Sequence, residues 1–145
     1  MHESIFNFLS FSPGPFWLIL VFAPHHRLAM RAFDFYILLL SAIFAVMTIP
    51  VVPDLFPIIA SPEHEAIKSF IASDLGSLGT WNHMILGDLW IGRWVIHDAL
   101  KLGTKAYIRI PILFTILMFG PLGLFFYLVY RWCVLRKHEL YAVPT

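Results

Sequence analysis

Residues 110–130 read IPILFTILMFGPLGLFFYLVY, 21 consecutive positions without a charged side chain. A helix that crosses a bilayer needs roughly 20 mostly apolar residues, so this run predicts a membrane span. Residues 35–52, FYILLLSAIFAVMTIPVV, are uncharged as well and predict a second. Residues 4–24 are long enough for a third, but Pro13, Gly14 and Pro15 interrupt them. Proline removes a backbone donor and breaks the helical ladder. A kinked or partly re-entrant first span is therefore expected, covered by protein where its backbone is broken. No Lys or Arg precedes Arg27. The segment thus lacks the basic leader of a signal peptide and is expected to be retained.

The fourth segment, residues 80–102, carries Asp88, Arg93, His97 and Asp98 around an apolar and aromatic middle. It fits a membrane only if other helices shield it. The fold class that follows is all-α: one integral membrane bundle of about four transmembrane helices. The spans are expected near 4–24, 35–52, 80–102 and 110–130 within a single domain, residues 1–145. In the long connection 53–79, Ser61-Pro62-Glu63 has the composition of a helix start. Ile67, Phe70, Ile71 and Leu75 then recur at helical spacing. A short amphipathic interfacial helix is expected near 62–75, ended by Gly76, with Thr80 capping the next helix. The tail from residue 131 onward, with Arg136, Lys137, His138 and Glu139, is expected outside the membrane.

Composition agrees. The 145 residues are 59% hydrophobic, 17% aromatic and 13% charged, and mean hydropathy is +0.78. Soluble domains run nearer a quarter charged. A net charge of +1 without a basic stripe excludes a nucleic-acid partner. The lone Cys133 excludes an internal disulfide and a cysteine metal cluster. It reads as an apolar filler or, near a helix end, a lipidation site. Orientation is nearly balanced under the positive-inside rule. One side of a four-span bundle holds Arg27, Arg31, Lys101, Lys105 and Arg109; the other holds Lys68, Arg131, Arg136 and Lys137.

The polar third span concentrates the chemistry. At about 100° per residue, His83, Trp90 and His97 fall on one stripe. Arg93 lies on one flank of it, Trp94 and Asp98 on the other, and Asp88 points the opposite way. Charged groups at membrane depth cost several kcal/mol unless paired or hydrated. Asp88 and Arg93 therefore mark either a functional site or a structural ion pair. Asp98 and His97, near the helix end, also fit simple solvation. A bis-histidine haem is disfavoured because no other span carries a histidine. A single histidine on a chlorophyll magnesium stays open, as does plain hydrogen bonding. No metal-ion site is expected. Trp81, Trp90 and Trp94 suit a flat polyene or macrocycle and equally suit packing. In the last span, Pro121 frees a backbone carbonyl and Gly120 and Gly123 permit a bend. Such a bend either packs helices or opens a pocket.

The motif Trp81-x-His83-x4-Asp88-Leu89-x2-Gly92-Arg93-Trp94-x3-Asp98, followed by Phe119-Gly120-Pro121-Leu122-Gly123-Leu124, resembles the ABA4-like family. The resemblance covers roughly residues 10–132. It implies a small four-helix membrane protein linked to carotenoids, in a bacterial inner or photosynthetic membrane or a plastid membrane. In plants it implies conversion of the epoxide violaxanthin to the allenic neoxanthin. The starting Met lies within a few residues of the first span, which fits a bacterial member or a processed form. The resemblance carries no catalytic assignment for any residue.

Side-chain chemistry suggests roles. Opening an epoxide needs a general acid at oxygen and a base for a carbon-bound proton. A dry cleft favours a neutral carboxylic acid, so Asp88 is the expected donor and His83 or His97 the acceptor. Arg93 is expected to balance Asp88 or hold a polar ring end. Trp81, Trp90, Trp94 and Pro121 are expected beside the pigment. Such an isomerase is redox-neutral and requires no cofactor. The expected partners are the lipid bilayer and a bound carotenoid, with chlorophyll second. The competing class is a small structural or pigment-binding subunit of a photosynthetic membrane complex, or a pigment carrier.

Overall fold

The computed structural model describes residues 2–139. The last six positions of the expected polar tail lie outside the described residues. All regular structure among the described residues is helical. Two compact units divide within one long helix, the first ending at Leu89 and the second beginning at Trp90.

The first unit opens with α1 (His2–Phe11) and α2 (Pro13–Phe22). The expected interruption is confined to Ser12. Its backbone N–H still donates to the Phe8 carbonyl at 2.9 Å, and Pro13 takes the first position of α2, where a missing donor costs nothing. The Ser12 hydroxyl lies 2.6 Å from the Tyr36 hydroxyl. Phe16 stacks on Tyr36 with ring centroids 3.8 Å apart. These contacts tie α2 to α3 (Arg27–Thr48), whose buried Met30, Phe33, Tyr36 and Leu40 recur at helical spacing. The imidazole of His26 accepts from the Ala29 N–H at 3.1 Å and caps α3.

Helix continues beyond the expected end of the second span. A 3-10 turn, Ile49–Val51, absorbs Pro50 and leads into α4 (Val52–Ala60), where Pro53 sits in the tolerant first turn. The next helix, α5 (His64–Ala72), starts later than expected. Ser61 closes α4 instead of opening α5. Glu63 holds the N-cap position in extended backbone, without a side-chain cap bond. Nor does Gly76 end that helix. Ser73 ends it and starts the next, its hydroxyl donating to the Phe70 carbonyl at 2.7 Å and accepting from the Gly76 N–H at 3.0 Å. A side chain on Gly76 would run into the Phe70 carbonyl, so the corner needs glycine. The polar helix, α6, therefore spans Asp74–Lys101 and contains Thr80 in its interior. Asn82, fully buried, donates to the Leu40 carbonyl at 3.4 Å.

In the second unit α6 ends in a tight reversal. Gly103 takes φ +68° and the Thr104 N–H reaches back to the Ala99 carbonyl at 2.8 Å, a glycine-dependent stop. Helix α7 (Ala106–Phe119) follows, then α8 (Pro121–Val129) and a π turn, Tyr130–Val134. Gly120, at φ +22°, separates α7 from α8. The Gly123 backbone packs so closely on Ile116 that a Cβ has no room.

Among the described residues two stretches, His2–Phe22 and Arg27–Ala60, are long and apolar enough to cross a membrane by length and composition. Two of the four expected spans, 4–24 and 35–52, meet this criterion; 80–102 and 110–130 do not. The charges of α6 lower its hydropathy, and the break at Gly120 divides the 110–130 run into Ala106–Phe119 and Pro121–Val134, each shorter than a span. At 14 residues, α7 alone is about 21 Å long.

Candidate functional site

His83 opens onto a cavity of about 250 Å³ in the first unit. Phe44, Met47, Phe70 and Leu75 supply apolar wall, and Thr48 and Thr80 supply hydroxyls. The His83 ring lies 5.9 Å from the Phe44 ring, tilted by 33°. Gly79 also lines the space, and a Cβ built on it meets nothing within 4 Å. Every other described lining residue is apolar or glycine, so among the described residues His83 is the one titratable group in this wall. Apolar walls with a few placed polar groups are what a small apolar ligand requires. A cavity of about 150 Å³ takes up benzene, so this space suits one substituted six-membered ring.

A different arrangement occupies the second unit. Asp98 is buried, 8% exposed. Its Oδ2 accepts from the Tyr127 hydroxyl at 2.6 Å and from Arg131 Nε at 2.8 Å. Arg131 is itself buried and also donates through Nη1 to the Lys137 carbonyl at 2.8 Å. Trp94 meets the Tyr127 ring edge-on at 5.7 Å. These bonds satisfy the carboxylate and correct two expectations. Asp98 is paired and buried rather than solvated, and Arg131 belongs to the core of its unit rather than to a polar tail. A second cavity, of about 560 Å³, opens beside the pair, with His97 and Lys101 on its rim.

Residues 4–127 match the family model described as ABA4-like, ABA DEFICIENT 4-like. The chain belongs to the ABA4-like family. No curated protein matches it, and no solved structure does. Membership supports a carotenoid-related role.

Within this ABA4-like chain the motif residues separate by environment. Trp81 donates from Nε1 to the Ser10 hydroxyl at 3.0 Å and lies 5.6 Å from the Phe6 ring, which ties α6 to α1. His83, Trp90 and His97 are all exposed, so the stripe expected from their spacing lies on an outer face of α6. Gly92 is buried and Arg93 half-buried. Asp88 is half-buried, forms no hydrogen bond among the described residues, and is not among the lining residues of the His83 cavity. Pro121 is exposed at the first turn of α8. Among the described residues no three His, Cys, Asp or Glu side chains cluster as a metal site. Sequence reading missed Tyr127 and Arg131. They are i,i+4 neighbours, Tyr127 inside the uncharged run 110–130 and Arg131 just past its end, and nothing in the local sequence joins them to Asp98.

Proposed function

We propose that this ABA4-like chain is a four-span integral membrane protein and a redox-neutral isomerase of an epoxy carotenoid. The cavity under His83 carries this reading, with family membership as its second support. In the proposal a ring end of the carotenoid enters from the bilayer and lies against Phe44 and Phe70. Thr48 and Thr80 hold the ring oxygens. Because Asp88 does not line this cavity, both proton steps fall to His83. The imidazolium gives its proton to the epoxide oxygen as the carbon–oxygen bond breaks. A hydrogen on the adjoining chain carbon leaves as a proton to the neutral imidazole. The electron pair it leaves behind becomes the new carbon–carbon double bond of the allene. One proton is given and one returned, and no electrons are gained or lost. Proton transfer by one positioned side chain contributes roughly 10²–10⁴-fold.

The test is conversion by the purified protein alone. Reconstituted in neutral lipid vesicles with violaxanthin, it is expected to form an allenic isomer of unchanged mass, resolved by chromatography. Stoichiometric pigment binding without any conversion would instead make the chain a pigment-binding subunit or carrier.

A further inference from the structure

The second cavity has a charge pattern that the proposed reaction does not use. Lys101 ends α6, and Arg136 and Lys137 follow the π turn; all three line the space of about 560 Å³. Asp98 and Arg131 neutralise one another in its floor. Among the described residues Glu139 is then the one remaining acid in the lining against three cations, with His97 and His138 beside them. Among the described residues none of the three cations forms an ion pair.

The backbone holds this arrangement in place. Arg131 donates to the Lys137 carbonyl at 2.8 Å, and the Lys137 N–H donates back to the Arg131 carbonyl at 3.0 Å. That reciprocal pair turns the chain through Arg136, which takes φ +53°. A bulky residue seldom adopts this left-handed conformation, and strain of this kind gathers at binding sites. The buried Asp98–Arg131 pair thus anchors a strained turn whose product is a concave cluster of three cations. Trp94 and Leu102 give the same cavity an apolar side.

We infer that this cavity binds a phosphate-type oxyanion, recognised by Lys101, Arg136 and Lys137, and that the occupant is the headgroup of an anionic phospholipid. Basic pockets at the ends of membrane helices hold such headgroups, and the apolar side formed by Trp94 and Leu102 suits the glycerol and first acyl carbons. The oxyanion site is independent of the carotenoid reaction; only its lipid source rests on the membrane reading.

The test is native mass spectrometry of the full chain in neutral detergent, with phosphatidylglycerol, phosphatidylcholine or inorganic phosphate as probe. A one-to-one phosphatidylglycerol adduct is expected, preferred over phosphatidylcholine. Lys101→Gln with Lys137→Gln is expected to weaken it roughly tenfold or more, and Lys101→Arg with Lys137→Arg to retain it. Both lysines are exposed, and an unchanged circular dichroism spectrum verifies that the variants fold. If inorganic phosphate binds with the same lysine dependence while the two lipids bind alike, the oxyanion site stands and its lipid source is overturned. If no probe depends on the lysines, the inference is wrong.

Discussion

Arg131 Nε lies 2.8 Å from Asp98 Oδ2 across 33 residues of sequence, and both side chains are buried. Removing one member of such a pair leaves an uncompensated buried charge, at a cost of about 3–5 kcal/mol. Arg131→Met is therefore expected to lower the thermal midpoint sharply in detergent. Arg131→Met combined with Asp98→Leu is expected to recover most of the loss, because two apolar groups replace the pair without stranding a charge. Tyr127→Phe, which removes one bond to the carboxylate, is expected to cost about 1.5 kcal/mol. A single Arg131→Met variant that melts with the wild type would show that the pair supports nothing.

Gly123, past the Gly120 break, and Gly87, inside α6, stand in opposite surroundings. A Cβ on Gly123 collides with the Ile116 backbone. Gly123→Ala is expected to cost about 1–3 kcal/mol through overpacking. Gly87, inside α6, has nothing within 4 Å of a Cβ. Gly87→Ala is expected to gain about 0.5–1 kcal/mol from the stiffer unfolded chain. Chemical melts of the two variants against the wild type read the contrast directly, and equal behaviour would contradict the close approach.

Four spans place both termini on one side of the membrane. With Cys133 replaced by serine, single cysteines at Glu3 and at Glu139 are expected to react together with an impermeant maleimide on sealed vesicles of one orientation. Labelling of one and protection of the other would mean an odd number of crossings, and the four-span proposal would fall.

Filling the His83 cavity separates binding from chemistry. Gly79 lines it with open space beside its Cα. Gly79→Phe is expected to abolish carotenoid retention during purification while the helical spectrum persists. Asp88→Asn is expected to keep conversion within a few-fold of wild type, since Asp88 lies off the cavity wall. Loss of conversion with retained pigment in that variant would move the acid from His83 to Asp88.

Helices were readable from the sequence because their cause is local. The uncharged run 35–52 appears within Arg27–Ala60, and 4–24 matches His2–Phe22 closely. Proline misled where its position decided its effect. Pro13 and Pro53 stand in first turns, where no donor is lost, so the first segment is interrupted only at Ser12 and helix continues past residue 52 into α4. The boundary at Ser73 was hidden because one hydroxyl serves two helices, a role its local sequence does not mark. Periodicity placed His83, Trp90 and His97 on one stripe, yet could not say whether that stripe faces inward. Asp98 was singled out, but its partner Arg131 stands 33 residues away, and no pattern short of the fold joins them.

The most direct test of the proposed function is the turnover of violaxanthin by His83→Gln beside the wild type, in the same vesicles with the same pigment loading. Glutamine keeps the size and polarity of the wall and removes the titratable imidazole. The proposed mechanism predicts retained carotenoid and a rate lower by roughly 10²-fold or more. Full turnover by His83→Gln would contradict it.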